Sequence, residues 1–243
     1  MNQTKLFEKE KKLNITKQGS DESLLKLALK YINDSAKYKY VYNFLWLGRP
    51  IIQFPQDMVA IQEIIWRVKP DFIIETGIAH GGSIIFSASI LEMIGSKGRI
   101  IGIDIDIRKH NRIAIVKHPL YKRITMLEGS SVELEIVRKV TEMTKGKKTM
   151  VFLDSLHTHS HVLKELNLYS KLVSKGSYLV VFDTVVQFMN KKSFPNRPWD
   201  KNDNPYTAVQ EFLIKNKHFI IDSEIDNKLL ISSAPMGYLK RIK

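Results

Sequence analysis

The stretch FIIETGIAHGGS, residues 72–83, decides how this chain reads. An apolar run ends in an acid, Glu75. A loop built on Gly77, Gly81 and Gly82 follows, and apolar and small residues resume as Ile84–Ile94. The pattern is strand, tight glycine turn, helix. Glycine has no Cβ, so the N–H groups of such a turn can approach a ligand closely at the start of a helix. A small ligand is expected there, at the top of a sheet.

Outward from this stretch, short apolar runs alternate with helical segments. Strands are expected at Phe72–Glu75, Arg99–Asp104, Ile124–Leu127, Thr149–Leu153 and Tyr178–Phe182, with helices near Ser83–Ile94, Ile107–Val116, Val132–Thr144 and His161–Leu172. Near-continuous Ile/Val/Leu strands between helices indicate a mostly parallel sheet covered on both faces. Upstream, Ser20–Tyr31 and Gln56–Val68 carry helical apolar spacing, and Tyr38–Pro55 reads as an aromatic-rich loop. Met1–Gly19 is polar and lysine-rich, which predicts a loose arm or a strand lying on a partner. At the far end, Tyr206–Lys217 reads as a helix. Phe219–Asp222 and Leu229–Ser232 then read as strands joined by the short link SEIDNK, which allows only an antiparallel hairpin. Dinucleotide-binding domains keep their strands parallel, whereas the methyltransferase variant of the fold inserts its last strand antiparallel.

The chain has 243 residues, 44% hydrophobic and 26% charged, as expected of a globular α/β protein. It contains no cysteine, which excludes disulfides, thiolate metal sites and cysteine nucleophiles and fits a reducing cytoplasm. No apolar run is long enough to span a bilayer, and the charged start is unlike a secretory signal. A net charge of +13 favours anionic partners, such as phosphorylated sugars or a membrane surface. The lysines are scattered along the sequence, and no nucleic-acid motif accompanies them.

Ligands of open α/β sheets bind beyond the carboxyl ends of the strands, so the residues there are the site candidates. The first strand offers Glu75, Thr76, Gly77, His80, Gly81, Gly82 and Ser83, a cradle for a nucleotide-like cofactor. Its spacing differs from Gly-x-Gly-x-x-Gly because Ala79 holds the second glycine position. The second offers Asp104, placed to accept both ribose hydroxyls. The third offers Ser130 and Ser131, which either meet an adenine edge or, through Ser131, cap the next helix. Asp154 follows the fourth strand and Asp183 the fifth. Paired carboxylates favour Mg²⁺ or Ca²⁺. Of His157, His159 and His161, the first is the best candidate for a general base. The long polar segment 185–204 reads as a substrate lid, with Phe194, Arg197 and Trp199 suited to stacking on a ring and gripping an anion. An oligomer contact is the other reading, and it also covers Trp46, Arg49 and Phe54.

Taken together, WLGRPIIQFPQD, KPDFIIETGIAHGGS, GIDIDIR, LEGSS, VFLDSLHTHSHV, VVFDT and RPWDKNDNP resemble the cephalosporin hydroxylase (CmcI-like) family, also labelled rhamnosyl O-methyltransferase. The resemblance runs from about Tyr40 to the C-terminus. It implies a Rossmann-like class I S-adenosylmethionine (SAM) methyltransferase fold: a seven-stranded, mostly parallel sheet with a C-terminal antiparallel hairpin. Residues 70–243 would form that domain, and residues 1–69 an arm and helices for oligomer or substrate contacts. By the same resemblance, Glu75, Gly77, Gly81 and Ser83 hold the methionine end of SAM, Asp104 its ribose, and Ser130 and Ser131 lie near its adenine. Asp154 and Asp183 become ligands of a divalent ion, Mg²⁺. The family has two adjacent acids after the fifth strand. This chain has Phe182 and Asp183, so Thr184 is the candidate to complete the shell.

The expected activity is methyl transfer from SAM to a hydroxyl of a sugar, on a surface polysaccharide or glycolipid, by a cytoplasmic homo-oligomer. A nicotinamide-dependent oxidoreductase and a non-catalytic SAM-binding protein of a glycan cluster are the competing readings.

Overall fold

The computed structural model of the chain describes residues 2–190, 193 and 196–243. Phe194 of the expected lid lies outside the described residues. Seven strands form the central sheet: β3 (Phe72–Thr76), β4 (Arg99–Asp104), β5 (Ile124–Glu128), β6 (Thr149–Leu153), β7 (Tyr178–Val181), β8 (Phe219–Ile221) and β9 (Tyr238–Arg241). Their spatial order is β5-β4-β3-β6-β7-β9-β8. The pairs among β5, β4, β3, β6 and β7 are parallel, and β9 lies antiparallel between β7 and β8. A small antiparallel pair, β1 (Phe44–Trp46) and β2 (Arg49–Ile51), precedes the sheet.

The two faces of the sheet follow from the strand period of two. Ile73, Ile100, Met150, Phe152 and Val180 point to one face, where α3 (Pro55–Val68) and α4 (Gly82–Met93) supply Ile61, Ile64, Ile65 and Ile85. Ile74, Ile101, Val151, Leu153 and Val181 point to the other. There α6 (Leu134–Thr144), α7 (His159–Tyr169) and α8 (Pro205–Lys215) supply Ile136, Leu166 and Phe212. Both sides of each central strand are thus buried, which is why these strands read as unbroken apolar runs. From the central strand β3 the chain moves to β4 on one side and β6 on the other, so a crevice opens at the carboxyl ends near β3.

Two expectations fail. Met1–Gly19 is no loose arm: Gln3–Gly19 is a helix, α1, started by the Asn2 side chain accepting from the Thr4 N–H at 3.0 Å. Its polar sequence hides it, since Ile15 is its one buried residue. Gln18 Nε2 ties it down, donating to the Asn227 carbonyl at 2.6 Å. At the far end the hairpin exists, but its second strand is β9, not Leu229–Ser232. Residues 223–229 form α9 (Ser223–Leu229) instead, because Ile225 and Leu229, four apart, bury one helical stripe against the core.

The segment between α9 and β9 is held by a buried acid on α3. Asp57 is fully buried and accepts from Ser232 Oγ at 2.6 Å, the Ser233 N–H at 2.7 Å and the Tyr238 hydroxyl at 2.7 Å. Nothing local in the sequence singles out Asp57, since its partners lie far along the chain.

Candidate active site

The glycine turn after β3 is built by close backbone packing. Gly77 has φ +90, and a Cβ there would collide with the Asp154 carbonyl oxygen. Gly81, at φ +84, precedes α4 and would collide with Ile115. Both are conformations that L side chains rarely adopt. The glycines therefore let β3, β6 and α5 (Lys109–Val116) close around the turn, a tighter structural need than the sequence alone suggests.

The turn is braced from two sides. Asp104, the last residue of β4, accepts from the Ile78 N–H at 2.7 Å and the Ala79 N–H at 3.1 Å through one oxygen. Its other oxygen accepts from the Asp106 N–H at 3.2 Å. A carboxylate has about four acceptor positions, so capacity remains for a ligand hydroxyl. On the outer side, Arg49 donates twice to the His80 carbonyl, at 2.9 and 2.6 Å, and once to Asn111 Oδ1 at 3.0 Å. Asn111, buried on α5, in turn donates to the Ala79 carbonyl at 2.9 Å. Trp46 donates to Ser89 Oγ and packs edge-on against Phe86 of α4, and Phe54 is buried in a small apolar cluster with Ile32. Arg49 and Trp46 thus reinforce the turn and its helix.

Glu75 is 2% exposed. Ser83 donates to one of its oxygens, and the other, Oε2, is buried without a partner among the described residues, as is the hydroxyl of Thr76. Burial pushes the Glu75 carboxyl up to about 8, against the opposing pull of Ser83. An unpaired buried carboxylate oxygen is costly until a cation or donor reaches it.

Next to this turn, Asp154, His157 and Asp183 bring one ligand atom each within 4.8 Å of one another. His157 Nε2 lies 3.1 Å from Asp183 Oδ2. Burial first, then the Asp183, Glu75 and Glu165 carboxylates, hold the Asp154 carboxyl well above its usual range. Asp183 sits at φ +56 and opens the short turn Thr184–Gln187. Phe182 is buried and packs edge-on against Phe152 in the core. Thr184 does not join the group: it is fully buried and its hydroxyl donates to the Pro235 carbonyl at 2.7 Å. His157 fills the third place instead. Its ring meets Trp199 edge-on at 4.8 Å, and the Arg197 guanidinium lies 5.1 Å from the Trp199 ring centre, so the described part of the expected lid reaches this group.

The other histidines belong to the scaffold. His159 pairs with Thr207 at 2.8 Å and Glu211 at 3.1 Å on α8. His161 lies 3.1 Å from Ser155 Oγ and 3.2 Å from Ser131 Oγ. Ser131 is thereby turned into the protein, and its carbonyl accepts from the Tyr169 hydroxyl at 2.7 Å. It is not a helix cap, because α6 starts at Leu134 with Glu133 before it. Ser130 remains half-exposed on the rim. Sequence reasoning missed Arg49 and Asn111 as braces, since their partners are backbone carbonyls of a distant turn.

The family model described as "Rhamnosyl O-methyltransferase/CmcI" matches residues 38–242. A rhamnosyl O-methyltransferase of Mycobacterium tuberculosis is 31% identical over 219 residues, covering 84% of this chain and 83% of the relative. That of Mycobacterium leprae is 28% identical over 216 residues, covering 84% and 88%. A solved structure of CmcI with Mg and SAM superposes with a TM-score of 0.59 at 18% identity, covering 83% of this chain and 78% of that one. A second CmcI structure, with SAH, gives 0.54 at 16%, covering 82% and 81%. The sheet order with its antiparallel β9, the glycine turn and the matched span lead to one conclusion: this chain belongs to the rhamnosyl O-methyltransferase/CmcI family and has the class I SAM-dependent methyltransferase fold.

Proposed function

We propose that this protein is a SAM-dependent O-methyltransferase acting on a hydroxyl of a sugar, assisted by a divalent cation. The observation that carries the reading is convergence. An unpaired buried carboxylate oxygen on Glu75, a glycine turn tied to Asp104, and the Asp154–His157–Asp183 group share one end of the sheet. The names of the curated relatives and the Mg and SAM held by CmcI support it.

The residues fit SAM. Glu75, Gly77, Gly81 and Ser83 would hold its methionine end, the orphaned Glu75 oxygen offering an acceptor for the ammonium. Thr76, His80 and Gly82 complete the wall of the turn. Asp104 holds the ribose, and Ser130 borders the adenine, with Ser131 turned away from it into the protein. They also fit Mg²⁺, which takes one or two carboxylates and otherwise keeps oxygen ligands. Asp154 and Asp183 are those carboxylates. A cation held there lowers the pKa of a nearby hydroxyl and neutralises carboxylates that otherwise repel.

His157 is the proton acceptor. Asp183 is an acceptor toward it, so Nε2 carries the hydrogen and Nδ1 is the basic nitrogen. The acceptor oxygen forms its bond to the methyl carbon as the carbon–sulfur bond breaks. The electron pair goes to sulfur, which loses its positive charge, and the hydroxyl proton goes to His157. Catalysis rests mainly on aligning oxygen, carbon and sulfur. Trp199 offers a flat apolar surface for a sugar ring, and Arg197 a charge for an anionic group on the acceptor.

The test has two arms: calorimetric titration with SAM, and transfer of labelled methyl from SAM to rhamnosyl and other glycosides with and without Mg²⁺. Binding of SAM followed by metal-dependent labelling of a sugar is expected. Failure to bind SAM, with NADH binding instead, refutes the reading.

A further inference from the structure

Six of the lysines that are scattered along the sequence come together in the turns at one end of the sheet. We propose that the end of the sheet opposite the cleft is a docking surface for an anionic phospholipid bilayer. This surface is separate from the methyl-transfer site.

The parallel strands all begin at this end, and the helices that precede them finish there. The connecting turns carry Lys97 before β4, Lys145, Lys147 and Lys148 before β6, and Lys171 and Lys175 before β7. All six are exposed. The antiparallel β9 ends at the same edge, where the Gly176 N–H donates to the Arg241 carbonyl at 2.8 Å. Neighbouring turns are bonded together: the Asp71 N–H donates to the Lys148 carbonyl at 2.7 Å, and the Arg99 N–H to the Asp71 carbonyl at 2.9 Å. The turns that carry the cations therefore adjoin one another, with the Asp71 carboxylate, which accepts from the Lys148 N–H at 2.8 Å, among them.

A hollow of about 300 Å³ lies among these turns, and every charged residue lining it is basic: Lys145, Lys147, Lys171 and Arg241. Thr141 and Ser174 line it too, their hydroxyls donating to the Val137 and Lys147 carbonyls. It has the donors and charge that a phosphate group seeks.

Helix dipoles account for only part of this pattern: Lys145 directly caps α6, where the C-terminal dipole favours a cation. Their pull on cations fades within the last turn. The last turns of α4, α5, α6 and α7 hold no basic residue, whereas the connecting turns beyond them do.

The choice of a bilayer over a nucleic acid rests on apolar side chains at the same end. The closing turns of five helices each expose one: Trp66 of α3 at 56%, Met93 of α4 at 70%, Val116 of α5 at 45%, Met143 of α6 at 36% and Ile214 of α8 at 70%. Lys69 lies over the Trp66 ring at 5.1 Å, a cationic and aromatic pair suited to a headgroup layer. Lysines beside scattered apolar residues match an interface that presents both anionic headgroups and acyl chains. Phosphates of a nucleic acid satisfy only the lysines. No described helix is long and apolar enough to cross a membrane, so the contact is peripheral. It turns the cleft toward the aqueous side, which suits a sugar on a soluble or long-chain acceptor.

The experiment is flotation of the full chain with vesicles of phosphatidylcholine, alone or with phosphatidylglycerol. Binding to the anionic vesicles only, weakened by salt, is expected. Each basic residue at such a surface is worth about a fivefold change in partition, so replacing Lys145, Lys147 and Lys171 together by glutamine weakens binding by roughly a hundredfold. The triple replacement by arginine retains it, and Trp66→Ala weakens the vesicle binding that remains in high salt. SAM affinity stays unchanged in all these variants, so a failure of the methyl-transfer reading shows separately. Equal binding to neutral vesicles, an unaffected glutamine variant, or tighter binding to duplex DNA than to anionic vesicles overturns the proposal.

Discussion

Replacing Glu75 by glutamine should make the folded protein more stable, and more so as pH rises. Glu75 is 2% exposed and its carboxyl is pushed from 4.5 up to about 8, so it is protonated at neutral pH before ligand binds. In the unfolded chain the same group ionises near its ordinary value. Between the two values the folded state holds a proton that the unfolded state has released, so stability falls as pH rises. The loss is about 1.4 kcal/mol per pH unit, or roughly 4 kcal/mol between about pH 5 and about pH 8. Glutamine mimics the protonated form and still accepts from Ser83, so this slope disappears in the variant. For a chain of this size, 1 kcal/mol moves the melting temperature by about 2–4 °C, so the gap between variant and parent should widen by about 10 °C across that range. Thermal scans of both ligand-free proteins at several pH values measure it. SAM titrations add a second arm: the parent should bind more tightly as pH rises toward 8, releasing a proton, and the variant should show no such trend. A melting-temperature gap that does not change with pH would refute the reasoning.

Other perturbations separate the parts of the site. Asp183→Asn should leave SAM affinity within a few-fold and lower turnover by at least about a hundredfold, as expected for loss of a charged group at the reacting centre. His157→Gln should lower turnover by about 10²–10⁴-fold without moving the Mg²⁺ midpoint of activity. A shifted midpoint would make His157 a ligand instead. Asp104→Ala removes acceptors of three backbone N–H bonds and should weaken SAM binding by at least tenfold in a calorimetric titration, since bonds to a charged group are each worth about 1.5–3 kcal/mol. Tyr238→Phe leaves Asp57 short of one donor and should cost about 1–3 kcal/mol in denaturation experiments, with little effect on SAM affinity.

Most of the sheet was legible because its strands are buried on both faces, and such runs need no partner to be recognised. β3, β4, β6 and β7 stand within a residue of where their apolar runs place them. The failures share a cause. α1 is polar nearly all round and gains its order from a distant contact at Asn227. The stripe of α9 is a single pair of residues, too short to separate helix from strand by period.

The sequence alone determined the alternation of strand and helix, the glycine turn with Glu75, and the acids Asp104, Asp154 and Asp183 at strand ends, since chain-local patterns dictate these. Tertiary structure decided what those acids face. It set His157 beside Asp183 in place of Thr184, turned His159 and His161 to scaffold duty, and braced the turn with Arg49 and Asn111. It also brought six lysines that are far apart in the chain to turns at one end of the sheet. The physical reason is the same in each case: hydrogen bonds and charge clusters join residues tens of positions apart, and their strength depends on separation in space, which no local pattern encodes.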